Sequence, residues 1–168
     1  MSVVLRPMAR VDVQAVAGLE VALFGEEAWS PDMLAGELAE GPSGKYYLVA
    51  AEEGAIAGYA GLMAPGGGQA DVLTVGVAQD RWGQGIGAAL LEGLLAEASR
   101  RGCTEMFLEV RVDNDRAQRL YRRHGFAGIG LRRGYYQPSG TDALVMRREI
   151  RQAPLRRGGR RWRSGGAA

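Results

Sequence analysis

The chain has 168 residues and a mass of 18.0 kDa, the size of one domain, and such a domain buries roughly 70% of the surface its unfolded form exposes. Apolar residues make up 46% and charged residues 24%, proportions that exclude wholesale disorder. The net charge of +2 conceals an asymmetry: residues 1–150 carry 15 basic against 19 acidic groups, and the last 18 residues carry six arginines and no acid.

In chain order, Val3 to Arg6 suits a first strand, and Asp12 a cap for a helix over 13–24 whose apolar face is Val13, Val16, Ala17, Leu19 and Leu23. Trp29-Ser30-Pro31 ends one element and starts another, because serine caps and proline suits the first helical position; that helix runs to about Glu40. Gly41 to Gly44 breaks the chain. Tyr46 to Ala51 and Ala55 to Met63 form a hairpin about Glu53-Gly54, and Ala70 to Val77 is a third long strand after a glycine loop. Ile86, Leu90, Leu91, Leu94, Leu95 and Ala98 then recur at helical spacing, closed by Arg100 and Arg101 before Gly102. Met106 to Val110 reads as a strand covered on both faces. Asn114 or Asp113 caps a helix closed by Arg122, Arg123 and His124, and strands over 126–131 and 143–148 flank a turn-rich segment. The order β-α-α-β-β-β-α-β-α-β-β predicts an α/β fold, a mixed sheet with helices on its faces. Residues 151–168, with one proline and four glycines, read as a disordered tail, either solvated or tethering the domain to RNA or the ribosome.

Several chemistries are excluded early. A single cysteine (Cys103) and a single histidine (His124) leave no internal disulfide and argue against bound metal. The apolar run from Ala55 to Ala64 falls short of the about 18 residues a membrane span needs, and Arg6, Arg10 and Asp12 interrupt any leader core. A cytoplasmic chain is expected. Cys103 reads as a packing residue and His124 as a helix cap.

The most informative stretch is strand, glycine loop, helix: Val75-Gly76-Val77, then Gly83-Gln84-Gly85-Ile86-Gly87-Ala88. Glycines leave the amides unshielded where a helix begins, and such a start carries about half a positive charge, which suits a phosphate or diphosphate. The same spacing also serves as a plain turn packing a helix on a sheet. No Gly-Lys-Ser/Thr follows, so this is not a Walker loop, and no βαβ unit precedes it as a dinucleotide fingerprint requires.

Taken with the next helix, with Leu108-Glu109-Val110-Arg111, and with Asn114 and Leu120-Tyr121-Arg122-Arg123-His124-Gly125-Phe126, this stretch resembles the GCN5-related N-acetyltransferase (GNAT) family over residues 3–149. Trp29-Ser30-Pro31 and Arg132-Arg133-Gly134-Tyr135-Tyr136 make it most similar to the RimI branch, which acetylates the N-terminal alanine of a small-subunit ribosomal protein. The resemblance implies acetyl-CoA as acyl donor, held by the backbone of Val75, Gly76 and Val77, by the loop Gly83 to Ala88 and by Asn114. It implies Glu109 as general base, Tyr121 as general acid, and Trp29, Tyr135 and Tyr136 around a protein N-terminus, with splayed central strands admitting the cofactor. One departure stands out: the family opens its loop with Gln or Arg three positions before the first paired glycine, and here that residue is Trp82.

The chemistry is coherent without the family. Acetyl transfer to an amine needs an exit for the amine proton and a proton for the departing thiolate. Glu109 interrupts an apolar strand, a setting that pushes a carboxyl toward useful proton-acceptor strength; read structurally, it is half of an ion pair with Arg111. Tyr121 is a proton donor or a core aromatic with a satisfied hydroxyl. An α-amine with pKa about 8 is partly neutral at pH 7.5, whereas discharging a lysine costs about 3–4 kcal/mol, so a lone carboxylate favours a protein N-terminus. The competing readings are an acetyltransferase for lysine or small amines, a ribosome-binding protein, and a silent acyl-CoA sensor.

Overall fold

The computed structural model describes residues 3–39 and 44–151, so the expectations for the tail after Arg151 and for the break at 41–43 fall outside the described residues. Within them the chain runs β1 (Val4–Pro7), α1 (Val13–Phe24), α2 (Pro31–Ala39), β2 (Lys45–Glu52), β3 (Ala55–Met63), β4 (Gln69–Val77), α3 (Ile86–Arg100), β5 (Glu105–Arg111), α4 (Asp115–Arg123), β6 (Ala127–Arg132) and β7 (Ala143–Glu149). This is the order read from the sequence. The strands form one mixed sheet, β1-β2-β3-β4-β5-β7-β6, whose only parallel pair is β4 with β5.

Local signals act largely as their chemistry dictates. The Ser30 hydroxyl accepts the Met33 amide at 3.2 Å and Pro31 opens α2. The Asn114 side chain accepts the Ala117 amide at 3.1 Å, making Asn114, not Asp113, the cap of α4. Asp12 departs from its expected role: its carboxylate caps the tight turn before α1, accepting the Ala9 amide at 2.7 Å. Arg6 grips the same carboxylate at 2.7 and 2.8 Å and holds it below the usual carboxylate range.

Helix α3 buries Ile86, Leu90, Leu91 and Leu94 against one sheet face, where Leu62, Met106, Leu108 and Met146 wait. Each such leucine contributes about 1.5–3 kcal/mol relative to exposure. On the opposite face α1 and α2 set Val13, Val16 and Leu34 against Tyr47, Val49 and Tyr59. The buried stripe of α1 is Val13, Val16, Ala17 and Glu20, so the predicted face is rotated: Leu19 and Leu23 lie at its edges and a carboxylate at its centre. Glu20 is satisfied there, accepting the Tyr59 hydroxyl at 2.5 Å and the Trp29 amide at 3.0 Å.

Two irregularities shape the middle of the sheet. Gly61 pairs with Thr74 but Leu62 with Val72, so Leu73 is an extra residue in β4, a bulge that bends and twists the strand. The β4–β5 ladder pairs Gln69 with Glu105, Ala70 with Met106 and Asp71 with Phe107, and ends there. Strand β5 also differs from the expectation of cover on both faces. Met106, Leu108 and Val110 are buried, while Phe107, Glu109 and Arg111 are half-buried on the face where α1 lies over β3 and β4.

Candidate active site

The gap left where β4 and β5 part is the centre of the site. From Val72 onward the inner edge of β4 has no strand partner, because β3 holds only its outer edge. Val75, Gly76 and Val77 lie on this stretch. Gly76 has a packing reason to be glycine: a Cβ there would come within 2.6 Å of the Tyr59 ring, so the buried tyrosine backs the strand from behind.

Beyond β4 the chain turns through Gln79–Arg81 into the glycine loop and α3. Gly83 and Gly85 adopt φ of 78° and 80°, in the left-handed region that other residues occupy only at a cost, and open space lies where their side chains would be. None of the amides from Gly83 to Ala88 donates to a protein acceptor among the described residues; the first bond of the turn is Ala89 to the Gly85 carbonyl, at 3.0 Å. Gln84 is exposed, Ile86 is anchored in the core, and Leu120 of α4 covers Gly87. A run of bare amides at a helix start is built for an anion.

Trp82 does not mimic the glutamine or arginine it replaces. Its indole donates to the Val77 carbonyl at 2.8 Å, and the Arg116 guanidinium lies over the ring, 3.6 Å from its centre. Arg81 is held by Glu52 at 2.5 Å and donates from Nε to the Gln84 side-chain oxygen at 3.0 Å.

The titratable groups converge from β5, α4 and the β6–β7 connection. Glu109 is 29% exposed and pairs with Arg132 at 3.1 Å, not with Arg111 as the structural reading supposed. Only one carboxylate oxygen is used, and the other has no partner among the described residues. Arg111 instead pairs with Glu27 at 2.5 Å and Asp113 at 3.0 Å. Tyr121 stacks edge-on to Phe126 at 5.9 Å, and its ring is buried, which pushes the phenol up to about 12. Among the described residues its hydroxyl has no acceptor, and it is not sealed from solvent.

Tyr136 shares this neighbourhood. Burial drives its phenol up first, and the negative ends of Tyr135, Tyr121 and Glu109 add to the effect. Arg111 lies 5.5 Å over the Tyr136 ring, and Arg132 lies 5.0 Å over Tyr135, whose own ring meets Tyr136 edge-on. A cavity of about 680 Å³ opens beside them, lined by Leu23, Phe24, Glu26, Glu27, Arg111 and Pro138 among others. Trp29, assigned to the substrate groove by the resemblance, packs with the α1–α2 core; from that part of the chain the cavity is lined by Leu23, Phe24, Glu26 and Glu27.

The profile of the acetyltransferase (GNAT) family matches residues 16–126 of this sequence. The chain belongs to the GNAT acetyltransferase family. It is an N-acetyltransferase 42% identical over 151 residues to the N-alpha-acetyltransferase RimI of Mycobacterium tuberculosis, with 88% of this chain and 92% of that protein aligned. The crystal structure of the ribosomal-protein-S18-alanine N-acetyltransferase from Escherichia coli superposes with a TM-score of 0.77 at 28% identity, covering 92% of this chain and 97% of that one. Ard1 from Thermoplasma volcanium, at 23% identity, shares the fold with a TM-score of 0.82 over 90% of this chain and all of that one.

Acetyl-CoA is the acyl donor of this GNAT family, and the parted strands and bare loop amides fit an extended arm ending in a diphosphate. With its side-chain carbonyl capping α4, Asn114 still has its amide N–H groups to offer such a ligand. Among the described residues no His, Cys, Asp or Glu cluster could hold a metal ion, and no helix is long and apolar enough to cross a membrane. Gly85→Val tests the loop: a β-branched residue at φ of 80° costs about 1–3 kcal/mol, so the KM for acetyl-CoA should rise about tenfold or more. Calorimetry returning the parent affinity would remove the loop from the donor site.

Sequence reasoning missed Glu20, Glu27, Arg116 and Arg132. Glu20 alone had a visible signal, lying seven residues after Val13 and four after Val16 on one helical stripe.

Proposed function

We propose that this protein transfers the acetyl group of acetyl-CoA to the α-amine of a protein N-terminus, in the manner suggested by the names of its relatives: an alanine-initiated ribosomal protein of the bS18 type. The observation that carries the reading is the parting of β4 and β5 after Asp71 and Phe107, with bare amides at the far end and Glu109 and Tyr121 on the neighbouring elements.

Acetyl-CoA supplies a thioester acyl group; the chain supplies the proton handling. The amine must lose a proton as its nitrogen bonds the acyl carbon, and the unpaired Glu109 oxygen accepts it, directly or through one water. Arg132 steadies the other oxygen. As the carbon–sulfur bond breaks, Tyr121 donates its proton to the sulfur and free CoA leaves. A phenol near 12 and a thiol near 8.5 differ by about 3.5 units, so complete transfer to a water-exposed thiolate is uphill by about 5 kcal/mol. The apolar setting that raises Tyr121 also raises a thiolate held beside it, which narrows that difference. Both partners are desolvated together.

The substrate side fits a peptide. Tyr135 and Tyr136 flank Glu109, and the cavity beyond them has both apolar walls and charged groups, Glu26, Glu27 and Arg111. Mass spectrometry after incubation with acetyl-CoA tests the reading. An alanine-initiated peptide should gain one acetyl group on its α-amine, and the same peptide with a blocked N-terminus and a free lysine should gain none. Preferential acetylation of the lysine or of a small amine would overturn the substrate assignment while leaving the family intact.

A further inference from the structure

We propose that Arg116, held flat on the Trp82 indole, is a diphosphate-binding residue of the acyl-CoA site, replacing from α4 the polar side chain that the glycine loop lacks; this rests on the acetyl-CoA reading above. Three observations lead to it.

Position is the first. Leu120 lies 3.3 Å from where a Gly87 Cβ would stand, which docks α4 on the first turn of α3. Arg116 precedes Leu120 by four residues, so it occupies the same face one turn nearer the start of α4. Its guanidinium, 3.6 Å from the centre of the Trp82 ring, therefore stands beside Gly83 and the bare amides that follow.

Availability is the second. The indole is fixed through its bond to the Val77 carbonyl at 2.8 Å, and it holds Arg116 through the ring face. Stacking consumes none of the guanidinium's N–H groups, and no carboxylate among the described residues pairs with them. Three other arginines around the site each have a carboxylate: Arg81 has Glu52, Arg111 has Glu27 and Arg132 has Glu109.

Charge is the third. Desolvation and then the neighbouring Arg119 guanidinium disfavour the charged form of Arg116, so two cations sit together with no counter-charge supplied by the described protein. A dianionic diphosphate resting on the loop amides relieves that repulsion, and a planar guanidinium can grip two of its oxygens at once.

The experiment is calorimetric titration of the full chain and its Arg116→Ala, Arg116→Lys and Trp82→Phe variants with CoA, with dephospho-CoA, which keeps the diphosphate but lacks the 3′-phosphate, and with pantetheine, which has neither. Arg116→Ala should weaken CoA and dephospho-CoA alike by about tenfold or more and leave pantetheine unchanged, with a shallower salt dependence than the parent. Arg116→Lys should recover part of the loss, and Trp82→Phe, which keeps an aromatic face, should stay within about threefold of the parent. Parent-like CoA affinity in Arg116→Ala overturns the proposal. A loss for CoA but not dephospho-CoA also overturns it, by moving the contact to the 3′-phosphate. An equal loss for pantetheine overturns it in favour of a structural role. A parent protein that binds no CoA at all instead removes the acetyl-CoA reading on which the proposal stands.

Discussion

Glutamine in place of Glu109 is expected to lower kcat about a hundredfold near pH 7 and only about tenfold above pH 9, because general-base catalysis of this kind contributes about 10²–10⁴. The pH dependence follows from the substrate. An α-amine with pKa near 8 is about a tenth neutral at pH 7 and about nine-tenths neutral at pH 9, so a proton acceptor matters most at the lower value. Tyr121→Phe behaves differently. It removes the proposed donor to sulfur and should cost about a hundredfold at every pH, since thiolate departure does not depend on the amine's charge. With its phenol at about 12, Tyr121 stays protonated in the parent enzyme, and the rate should show no falling limb from it below about pH 11. Steady-state CoA release between pH 6.5 and 10 measures all three behaviours, and undiminished rates in both variants would dissolve the acid–base assignment.

The largest effect on stability is expected at Glu20, whose side chain is buried. Its carboxylate joins three elements: α1, which carries it; Tyr59 of β3, bonded at 2.5 Å; and the Trp29 amide leading into α2, at 3.0 Å. Glu20→Ala takes away the carboxylate that now accepts from a buried hydroxyl and a part-buried amide, at about 1–3 kcal/mol each. The urea midpoint should fall by the equivalent of about 2–4 kcal/mol at unchanged slope. Glu20→Gln keeps one carbonyl oxygen and should lose roughly half as much. Because the Tyr59 ring backs Gly76, loosening it should also raise the KM for acetyl-CoA in the alanine variant. A midpoint within experimental error of the parent would show that the carboxylate bears no weight.

What could be read from the chain alone was whatever local chemistry controls. Proline after serine starts α2, the spacing of Ile86, Leu90, Leu91 and Leu94 makes α3, and the hairpin turns at Glu53-Gly54, where both residues adopt positive φ. Glu109 was legible as a polar interruption of an apolar strand, but its partner was not. Arg132 lies 23 residues away and reaches Glu109 across β7, which lies between β5 and β6. Arg111, the nearer candidate, is drawn off by Glu27 from 84 residues upstream. The Trp82–Arg116 stack was hidden for a similar reason: the replacement of a glutamine or arginine by tryptophan is plain in the sequence, but the cation it recruits comes from another helix. The extra residue at Leu73 left no mark either, since VLTV reads as ordinary strand.

The short parallel ladder has a mechanical consequence. β1 to β4 and β5 to β7 are two half-sheets stitched together over three residue pairs, with α3 as the covalent strap between them. A ligand threaded along the inner margin of β4 would act as a cross-brace between the halves, so occupancy should slow amide hydrogen exchange over 72–77 and raise the melting temperature by mass action. Bound donor would then tune the rigidity of the platform on which the acceptor peptide is seated.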